Sequence, residues 1–264
     1  MSLQVYIPTR GRVGWNKQLT LRKFLDLSSH KPILVCPPDE VRSHRDYYVR
    51  VVGCPGINIG QTRQHILETS GSDIVVMADD DMTFAYRPNP ELPKLKVCPS
   101  LDPMLRLIRD CVDKGYVHGG IGPRQGNGLL KKQTIYDTQG CYQDVGRVNN
   151  FHYFDRVRFL STGVKFDDWE VMEDFYVTLR LLQLGLPNRI IQNYVWDQGT
   201  SGASGGCSIY RTLDRHNAAA AKLAEHFPNI VRLVTKTSTS AWFDGKPRND
   251  VVVQWKKAYA GSGS

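Results

Sequence analysis

The sequence has no Cys-x-x-Cys pair, no apolar run long enough to cross a bilayer and no hydrophobic region of a signal peptide at its N-terminus. The first absence argues against a structural zinc site, and the scattered cysteines argue against a disulfide framework. Together these absences predict a cytoplasmic protein whose thiols stay reduced. The six cysteines are Cys36, Cys54, Cys98, Cys111, Cys141 and Cys207.

Length and charge set the next limits. With 264 residues, of which 41% are hydrophobic and 23% charged, the chain is long enough for one α/β domain with a full core. We expect this single domain to span residues 1–260, followed by a flexible tail at 261–264. The net charge of +8 and the pI near 9.2 point to a polyanionic partner such as nucleic acid, although a solvated basic surface would have the same composition.

The most informative stretch is Ile74–Ala78, an apolar, β-branched run that ends in Asp79, Asp80 and Asp81. Such a run is typical of a buried strand in a parallel sheet, and ligands gather at the carboxyl ends of these strands. Three adjacent carboxylates repel one another unless a cation lies among them, and such oxygen ligands suit Mg²⁺ or Mn²⁺. The alternative is an acidic turn that only solvates the strand end.

The rest of the first hundred residues alternates strand and helix patterns, which predicts a doubly wound, mainly parallel sheet. Its predicted strands are 3–8, 32–36, 48–52 and 73–78. Its predicted helices are one that starts near Trp15 and has its apolar residues at 19–27, and one at about 58–71. Further along, we expect helices at 100–115, 173–184 and 212–227, strands at 116–121 and 189–193, and short antiparallel strands within 135–154.

Two segments near strand and helix ends are candidates for binding a nucleotide. Thr9–Arg12 follows the first strand after Pro8, and its two arginines suit phosphates or a base, although a basic surface turn would have the same composition. Gly60 permits close approach of the backbone at a helix start. Arg63, one turn into that helix, can reach back to a ligand at its N-terminus.

A glycine-dense stretch begins at Gly119 and Gly120 and continues to Gly128. Its flexibility fits a loop that closes over a ligand, and a solvent hairpin is the alternative. Acids recur at Glu173 and Asp174, in the first turn of a predicted helix. Acids there complement the helix dipole, but this pair follows an already acidic loop, so a functional role is favoured.

Four motifs, spread over roughly residues 3–216, resemble the GT-A family of nucleotide-sugar glycosyltransferases. They are a first strand ending in Pro-Thr-Arg, a Gly-x-x-Arg helix start, a strand ending in Asp-Asp-Asp, and a Glu-Asp pair that opens a later helix. The resemblance implies a GT-A (Rossmann-like) mixed sheet flanked by helices and with a small antiparallel acceptor-side region. Residues 1–98 would form the nucleotide-binding half and 99–260 the acceptor-side half.

Within that fold, the basic charge and the Gly-Gly-Cys stretch at 205–207 make the sequence most similar to DNA-base glucosyltransferases that are related to the base J enzyme and found in bacteriophages. Those enzymes act on hydroxymethylated pyrimidines. The resemblance therefore implies a UDP-sugar donor, probable transfer of glucose to DNA, and action in the cytoplasm of an infected host cell. Basic residues would grip the DNA phosphates, with Arg124, Lys131, Lys132, Arg147, Lys256 and Lys257 as candidates.

The resemblance also implies roles for single residues. Asp79 and Asp81 would hold Mn²⁺ or Mg²⁺ as the ends of the Asp-x-Asp motif, with His216 as a further ligand or else a surface helix histidine. Asp174, or second Glu173, would deprotonate the acceptor hydroxyl, so that displacement inverts the anomeric centre. The implied donor-binding residues are Pro8, Thr9, Arg10, Arg12, Gly60, Arg63, Asp79, Asp80, Gly119 and Gly120.

Three alternatives have the same sequence features. A GT-A transferase could use a saccharide or protein acceptor instead of DNA. A metal-dependent nucleotidyltransferase or nuclease could use the same aspartates on phosphates. A non-catalytic nucleic-acid-binding module would need the basic charge but not the acids.

Overall fold

The computed structural model describes residues 1–89, 94–125, 135–136 (backbone only), 141–198, 206, 210–237 and 246–260. The helices in these ranges are α1 (Leu19–Leu27), α2 (Ile59–Thr69), α3 (Asp102–Asp113), α4 (Arg156–Ser161), α5 (Glu173–Gln183), α6 (Leu213–His226) and α7 (Trp255–Ala260). The strands are β1 (Leu3–Pro8), β2 (Ile33–Cys36), β3 (Val51–Gly53), β4 (Ile74–Ala78), β5 (Met82–Tyr86), β6 (Lys96–Val97), β7 (His118–Pro123), β8 (Ile135–Tyr136), β9 (Cys141–Asp144), β10 (Phe151–Asp155), β11 (Arg189–Gln198), β12 (Val231–Thr237) and β13 (Pro247–Val253).

One large mixed sheet carries the fold, with its main strands in the order β3-β2-β1-β4-β10-β7-β11-β5-β6. Strands β3, β2, β1 and β4 are parallel, and so are β7 and β11, whereas β10 is antiparallel to both β4 and β7. Strands β9 and β5 pair with successive parts of β11, and β8 pairs with β9. The predicted mixed, mainly parallel α/β sheet with a small antiparallel region is therefore confirmed.

Strand β4 lies inside the protein with both faces covered. Val75 and Met77 belong to the apolar core shared with α2, α5, α6 and α7, while Ile74, Val76 and Ala78 belong to the core shared with α1 and α3. None of the five side chains is more than 1% exposed. A strand buried on both faces reads as a continuous apolar run, which is the pattern that identified it. The three aspartates therefore follow directly on a fully buried strand, which holds their backbone in place.

The structure differs from the sequence prediction in several elements. The third strand begins only at Val51, because Pro38–Tyr47 forms 3-10 helix and Tyr48 then takes a left-handed φ of 56°. Strand β5 is not predicted at all, and β11 is longer than predicted because it pairs with β5. Strands β12 and β13 form a separate two-stranded sheet that the sequence pattern did not indicate.

Two further predictions concern the start of α3 and the C-terminal tail. The helix predicted at 100–115 begins at Asp102 with Leu101 as its N-cap, and Ser100 Oγ accepts a bond from the Asp102 backbone N–H at 3.3 Å. The predicted tail at 261–264 lies outside the described residues. Across the described ranges, no helix combines the length and apolar character needed to cross a membrane.

A pair of buried histidines lies beside β4 in the sheet. His118 on β7 and His152 on β10 are 2% and 1% exposed, and their rings stack with centroids 5.7 Å apart. His118 Nε2 lies 3.4 Å from His152 Nδ1, and Phe154 stacks on His118. Burial lowers the pKa of His118 to about 3, and burial with the nearby charge of Arg63 lowers the pKa of His152 well below its ordinary value. Both rings are therefore neutral in the folded protein near pH 7.

This pair predicts a loss of stability in mild acid. An unfolded histidine takes up its proton near pH 6.5, whereas the folded pair does not, so the stability is fully present above pH 6.5 and falls as the pH drops towards the folded pKa. Each histidine contributes a slope of about 1.4 kcal/mol per pH unit. We expect His118→Phe to reduce the pH slope of the free energy of unfolding between about pH 6 and 4.5, measured by urea unfolding. His65→Gln, at a partly exposed position of α2, is the control, and equal slopes for both variants would contradict the prediction.

Candidate active site

Two arginines pair with the acidic triplet at the end of β4. Arg12 Nη1 contacts Asp80 Oδ1 and lies 2.8 Å from Asp81 Oδ2. Arg63 Nη2 lies 3.0 Å from Asp79 Oδ1. Three adjacent carboxylates need positive charge among them, and in this structure two arginines of the same chain provide it.

The side chains of the three aspartates differ in how exposed they are. The side chains of Asp79 and Asp81 are 25% and 21% exposed, whereas that of Asp80 is 7% exposed. Asp80 Oδ2 accepts a bond from Thr9 Oγ1 at 2.5 Å, and burial raises the pKa of Asp80 to about 7 against the opposing charge of Arg12. Asp80 therefore ties the triplet to the first loop, and Asp79 and Asp81 are the two more exposed carboxylates.

Arg63 joins the triplet to the second acidic motif. While its Nη2 holds Asp79, its Nη1 lies 2.6 Å from Glu173 Oε1, and the side chains of Arg63 and Glu173 are both 4% exposed. The guanidinium also lies over the ring of Phe166, 5.8 Å from the centroid. In this structure Arg63 reaches from α2 to two protein carboxylates, and its predicted contact with a bound ligand stays a prediction.

The two acids of α5 have different surroundings. Glu173 is buried against Arg63, and burial raises its pKa, opposed by Arg63. Asp174 faces Arg147, whose Nη2 lies 3.4 Å from Asp174 Oδ2 and whose side chain is 48% exposed. Met172 precedes both acids with a left-handed φ of 64°, a strained conformation for this residue that turns the chain into α5. The side chain of Asp174 is itself 12% exposed, against 4% for Glu173, so Asp174 is the more accessible of the two acids.

The first loop is held from several sides. Pro8 ends β1, Arg10 Nη2 bonds to the Gly56 carbonyl oxygen, and the Arg10 carbonyl accepts a bond from the Gly206 N–H at 2.8 Å. At the start of α2, a Cβ on Gly60 would lie 2.7 Å from the Phe166 carbonyl oxygen. Gly60 therefore does permit close backbone approach, as predicted, but the backbone that approaches belongs to the protein.

Gly119 and Gly120 lie inside β7 and are buried, so the predicted ligand loop is wrong for these two residues. A Cβ on Gly119 would lie 2.1 Å from the Arg189 carbonyl oxygen, and a Cβ on Gly120 would lie 2.3 Å from the Phe151 carbonyl oxygen. Packing between strands therefore explains both glycines, and their assignment to the donor loses its basis. Residues 126–128 of the same stretch lie outside the described residues.

This packing role predicts that Gly119→Ala destabilises the fold by about 2–3 kcal/mol, because an added methyl group has no space between β10 and β11. Gly71→Ala is the matched control, since a Cβ there meets nothing within 4 Å. Urea unfolding of both variants measures the difference. A Gly119→Ala protein as stable as Gly71→Ala would contradict the packing role.

The predicted metal ligands are only partly brought together. Asp79 and Asp81 both lie just after the end of β4. His216 lies on α6, is only 9% exposed, and is near the charges of Arg211 and Arg248. Burial and these arginines lower the pKa of His216. It is thus not a surface histidine. No three His, Cys, Asp or Glu side chains in the described ranges form a group that could hold a metal ion, so the set of Asp79, Asp81 and His216 stays a prediction.

Two glutamines belong to the site although no sequence pattern marks them. Gln198 Nε2 donates to Asp81 Oδ1 at 2.6 Å, and Asn150 Nδ2 donates to Gln198 Oε1 at 2.8 Å. Gln18 is fully buried and donates to Thr9 Oγ1 and to the Arg12 carbonyl oxygen, at 3.1 and 2.8 Å. Gln198 lies 117 residues from its partner, and only the pairing of β11 with β5 brings it to the triplet.

A family model and two curated relatives that match this chain are all glycosyltransferases. The family model described as TET-Associated Glycosyltransferase matches residues 3–206. Two curated relatives, from Enterobacteria phages T6 and T2, are both named beta-glucosyl-HMC-alpha-glucosyl-transferase. Each is 23% identical to this chain over 246 residues, which cover 88% of this chain and 84% of the relative.

Solved structures with a similar fold include two sugar-nucleotide complexes. Glucosyl-3-phosphoglycerate synthase from Mycobacterium tuberculosis, solved with Mn²⁺, UDP-glucose and phosphoglyceric acid, has a TM-score of 0.53 at 14% identity, covering 89% of this chain and 83% of its own. S. aureus TarS 1–349, solved with UDP-GlcNAc, has a TM-score of 0.52 at 14% identity, covering 85% of this chain and 67% of its own. At this identity the likeness concerns the fold, and it confirms the GT-A class.

Proposed function

Because the chain belongs to the TET-associated glycosyltransferase family, we propose that this glycosyltransferase moves a glucosyl group from a UDP-sugar to the hydroxymethyl group of a modified pyrimidine in DNA. The observation that carries the proposal is the double ion pair of Arg63. It holds Asp79, at the end of β4, and Glu173, at the start of α5, on one guanidinium. The donor-side and acceptor-side motifs therefore meet at one place.

The donor side fits a diphosphate and a divalent metal. Asp79 and Asp81 are partly exposed, at 25% and 21%, and Mg²⁺ typically takes only one or two carboxylates and completes its shell with waters and substrate phosphates. This agrees with the lack of a three-ligand protein group in the described ranges. When bound there, Mn²⁺ or Mg²⁺ would act as a Lewis acid on the departing diphosphate. Thr9, Arg10 and Arg12, beside the triplet, would bind and orient the nucleotide.

The acceptor side fits a base and an exposed cation. We propose that Asp174 takes the proton from the acceptor hydroxyl as the new bond to the sugar forms, and that Arg147 orients this carboxylate. Glu173 is buried and committed to Arg63, so it would position Asp174 instead of acting as base. Direct displacement by this route inverts the anomeric centre.

A DNA acceptor is supported by the names of the phage relatives and by the charge of the chain. The net charge is +8, and Arg124, Arg147, Lys256 and Lys257 are exposed. Lys131 and Lys132 lie outside the described residues. A base in duplex DNA would have to leave the stack for its hydroxymethyl group to reach Asp174. Binding would then fall steeply with salt.

A second acceptor is favoured by the same relatives. Their name refers to β-glucosyl-HMC as acceptor and to an α-glucosyl product. We therefore include a sugar already attached to the base as a candidate acceptor. An α-linked product from an α-linked donor would mean retention of configuration, so the anomeric linkage of the product separates the two readings.

The test is incubation with UDP-glucose and Mn²⁺ of three DNA duplexes that differ only in one base: cytosine, hydroxymethylcytosine and glucosylated hydroxymethylcytosine. Mass spectrometry detects an added hexose, and NMR of the released nucleoside gives the linkage. We expect addition to hydroxymethylcytosine, a β-linkage and no activity after chelation of the metal. Addition only to the glucosylated base would favour the second acceptor, and transfer only to free saccharides or protein would remove DNA as the substrate.

A further inference from the structure

Arg12 is paired with two of the three aspartates of the acidic triplet. Its Nη1 contacts Asp80 Oδ1 and lies 2.8 Å from Asp81 Oδ2. Its side chain is only 11% exposed, so the guanidinium sits within the site and not in solvent. The backbone of Arg12 is fixed as well, because its carbonyl oxygen accepts the bond from buried Gln18.

Each oxygen of Asp80 and Asp81 has a protein partner. Thr9 Oγ1 donates to Asp80 Oδ2 at 2.5 Å, Gln198 Nε2 donates to Asp81 Oδ1 at 2.6 Å, and Arg12 contacts the other two oxygens. A divalent ion on Asp81 would lie within a few ångströms of the guanidinium. In a partly buried site two positive charges this close repel each other more strongly than they would in water. Arg12 and the metal therefore compete for Asp81.

We propose that Arg12 is an internal counter-cation that leaves Asp81 when the metal and the diphosphate bind together, and then pairs with the diphosphate. This rests on the proposed function, because the diphosphate belongs to the sugar donor. The metal takes the carboxylate that Arg12 gives up, and the diphosphate offers Arg12 a new anionic partner. Neither ligand alone completes the exchange, so each strengthens the binding of the other.

The exchange gives Arg12 a role that differs from simple nucleotide binding. A residue that only contacts the nucleotide would leave the affinity for the metal alone unchanged when it is replaced. A counter-cation would hold that affinity down, so removing its charge raises the affinity. Because coupling is reciprocal, the factor by which UDP strengthens Mn²⁺ binding equals the factor by which Mn²⁺ strengthens UDP binding.

The test measures Mn²⁺ binding by the loss of the free-ion signal in electron paramagnetic resonance, with and without UDP and without any acceptor. We expect Arg12→Gln to bind Mn²⁺ alone at least about tenfold more tightly than the parent protein, and the coupling to UDP to shrink by a similar factor. Arg12→Lys keeps the charge and should return the parent behaviour. Adding Asp81→Asn to Arg12→Gln should abolish the gain, which locates it at Asp81.

A second variant tests the proposal if Arg12→Gln alone fails to fold. Arg12→Gln leaves the buried Asp80 without its counter-charge, and Arg12→Gln with Asp80→Asn removes both charges while freeing Asp81 in the same way. Unchanged or weaker binding of Mn²⁺ alone in the paired variant, or no detectable binding in any variant, overturns the proposal. A protein that shows the exchange but transfers no sugar to DNA would refute the proposed function and leave the exchange standing.

Discussion

Replacing Asp174 with asparagine is expected to lower the rate of sugar transfer by roughly 10²- to 10⁴-fold, the usual contribution of a positioned general base. Asparagine keeps the size of the side chain and can still contact Arg147, so the loss concerns the basic oxygen alone. The affinity for UDP should be unchanged, because the nucleotide would contact the first loop and the end of β4. Single-turnover transfer to the preferred DNA, together with UDP binding by calorimetry, measures both quantities.

Two further variants separate this role from its neighbours. Glu173→Gln removes the charge that pairs with Arg63, and we expect it to lower the stability of the protein more than the rate of its folded fraction. Asp167→Asn changes an exposed acid ahead of α5 and should leave the rate within about twofold, since exposed changes away from a site have small effects. If Asp174→Asn kept more than a tenth of the parent rate while Glu173→Gln lost most of it, the base would be Glu173.

Local sequence patterns predicted much of the scaffold. Strand β1 has the bounds that its apolar pattern indicated, and the apolar run of β4 ends where the acids begin. Helix α1 ends at Leu27 as its pattern indicated but begins at Leu19, because Trp15–Lys17 forms a separate 3-10 turn. Glu173 and Asp174 open α5 as expected, and Gly185 follows its end with a positive φ of 74°. These features depend on residues a few positions apart, which periodicity and capping rules can detect.

The contacts within the site depend on residues far apart in the chain, and no local pattern reports them. Arg63 and Glu173 are 110 positions apart, and Arg12 and Asp80 are 68. Three adjacent aspartates in a sequence indicate that a cation is needed, but they do not distinguish an arginine of the same chain from a metal ion. The same limit applies to Gly119, because a flexible loop and close packing against neighbouring strands both favour a residue without a Cβ.

Replacing Arg63 with methionine is expected to cost about 3–5 kcal/mol of folding free energy, the usual effect of removing one partner from a buried ion pair. Methionine retains much of the apolar stem but leaves Asp79 and Glu173 close together with no positive charge between them. The chain offers a matched control in Arg215, whose Nη1 lies 2.6 Å from Glu170 Oε1, the distance found for Arg63 and Glu173. That pair is 51% and 46% exposed, so Arg215→Met should cost no more than about 1 kcal/mol.

The cost of Arg63→Met should also depend on Glu173. Combining it with Glu173→Gln removes one of the stranded charges, so the double variant should be more stable than Arg63→Met alone by at least about 1 kcal/mol, a coupling expected for residues in direct contact. Urea unfolding of the four proteins of this cycle gives the coupling energy. Equal losses for Arg63→Met and Arg215→Met, or a double variant less stable than either single one, would mean that the two acidic motifs are held together by the packing of α2 and α5 and not by this guanidinium.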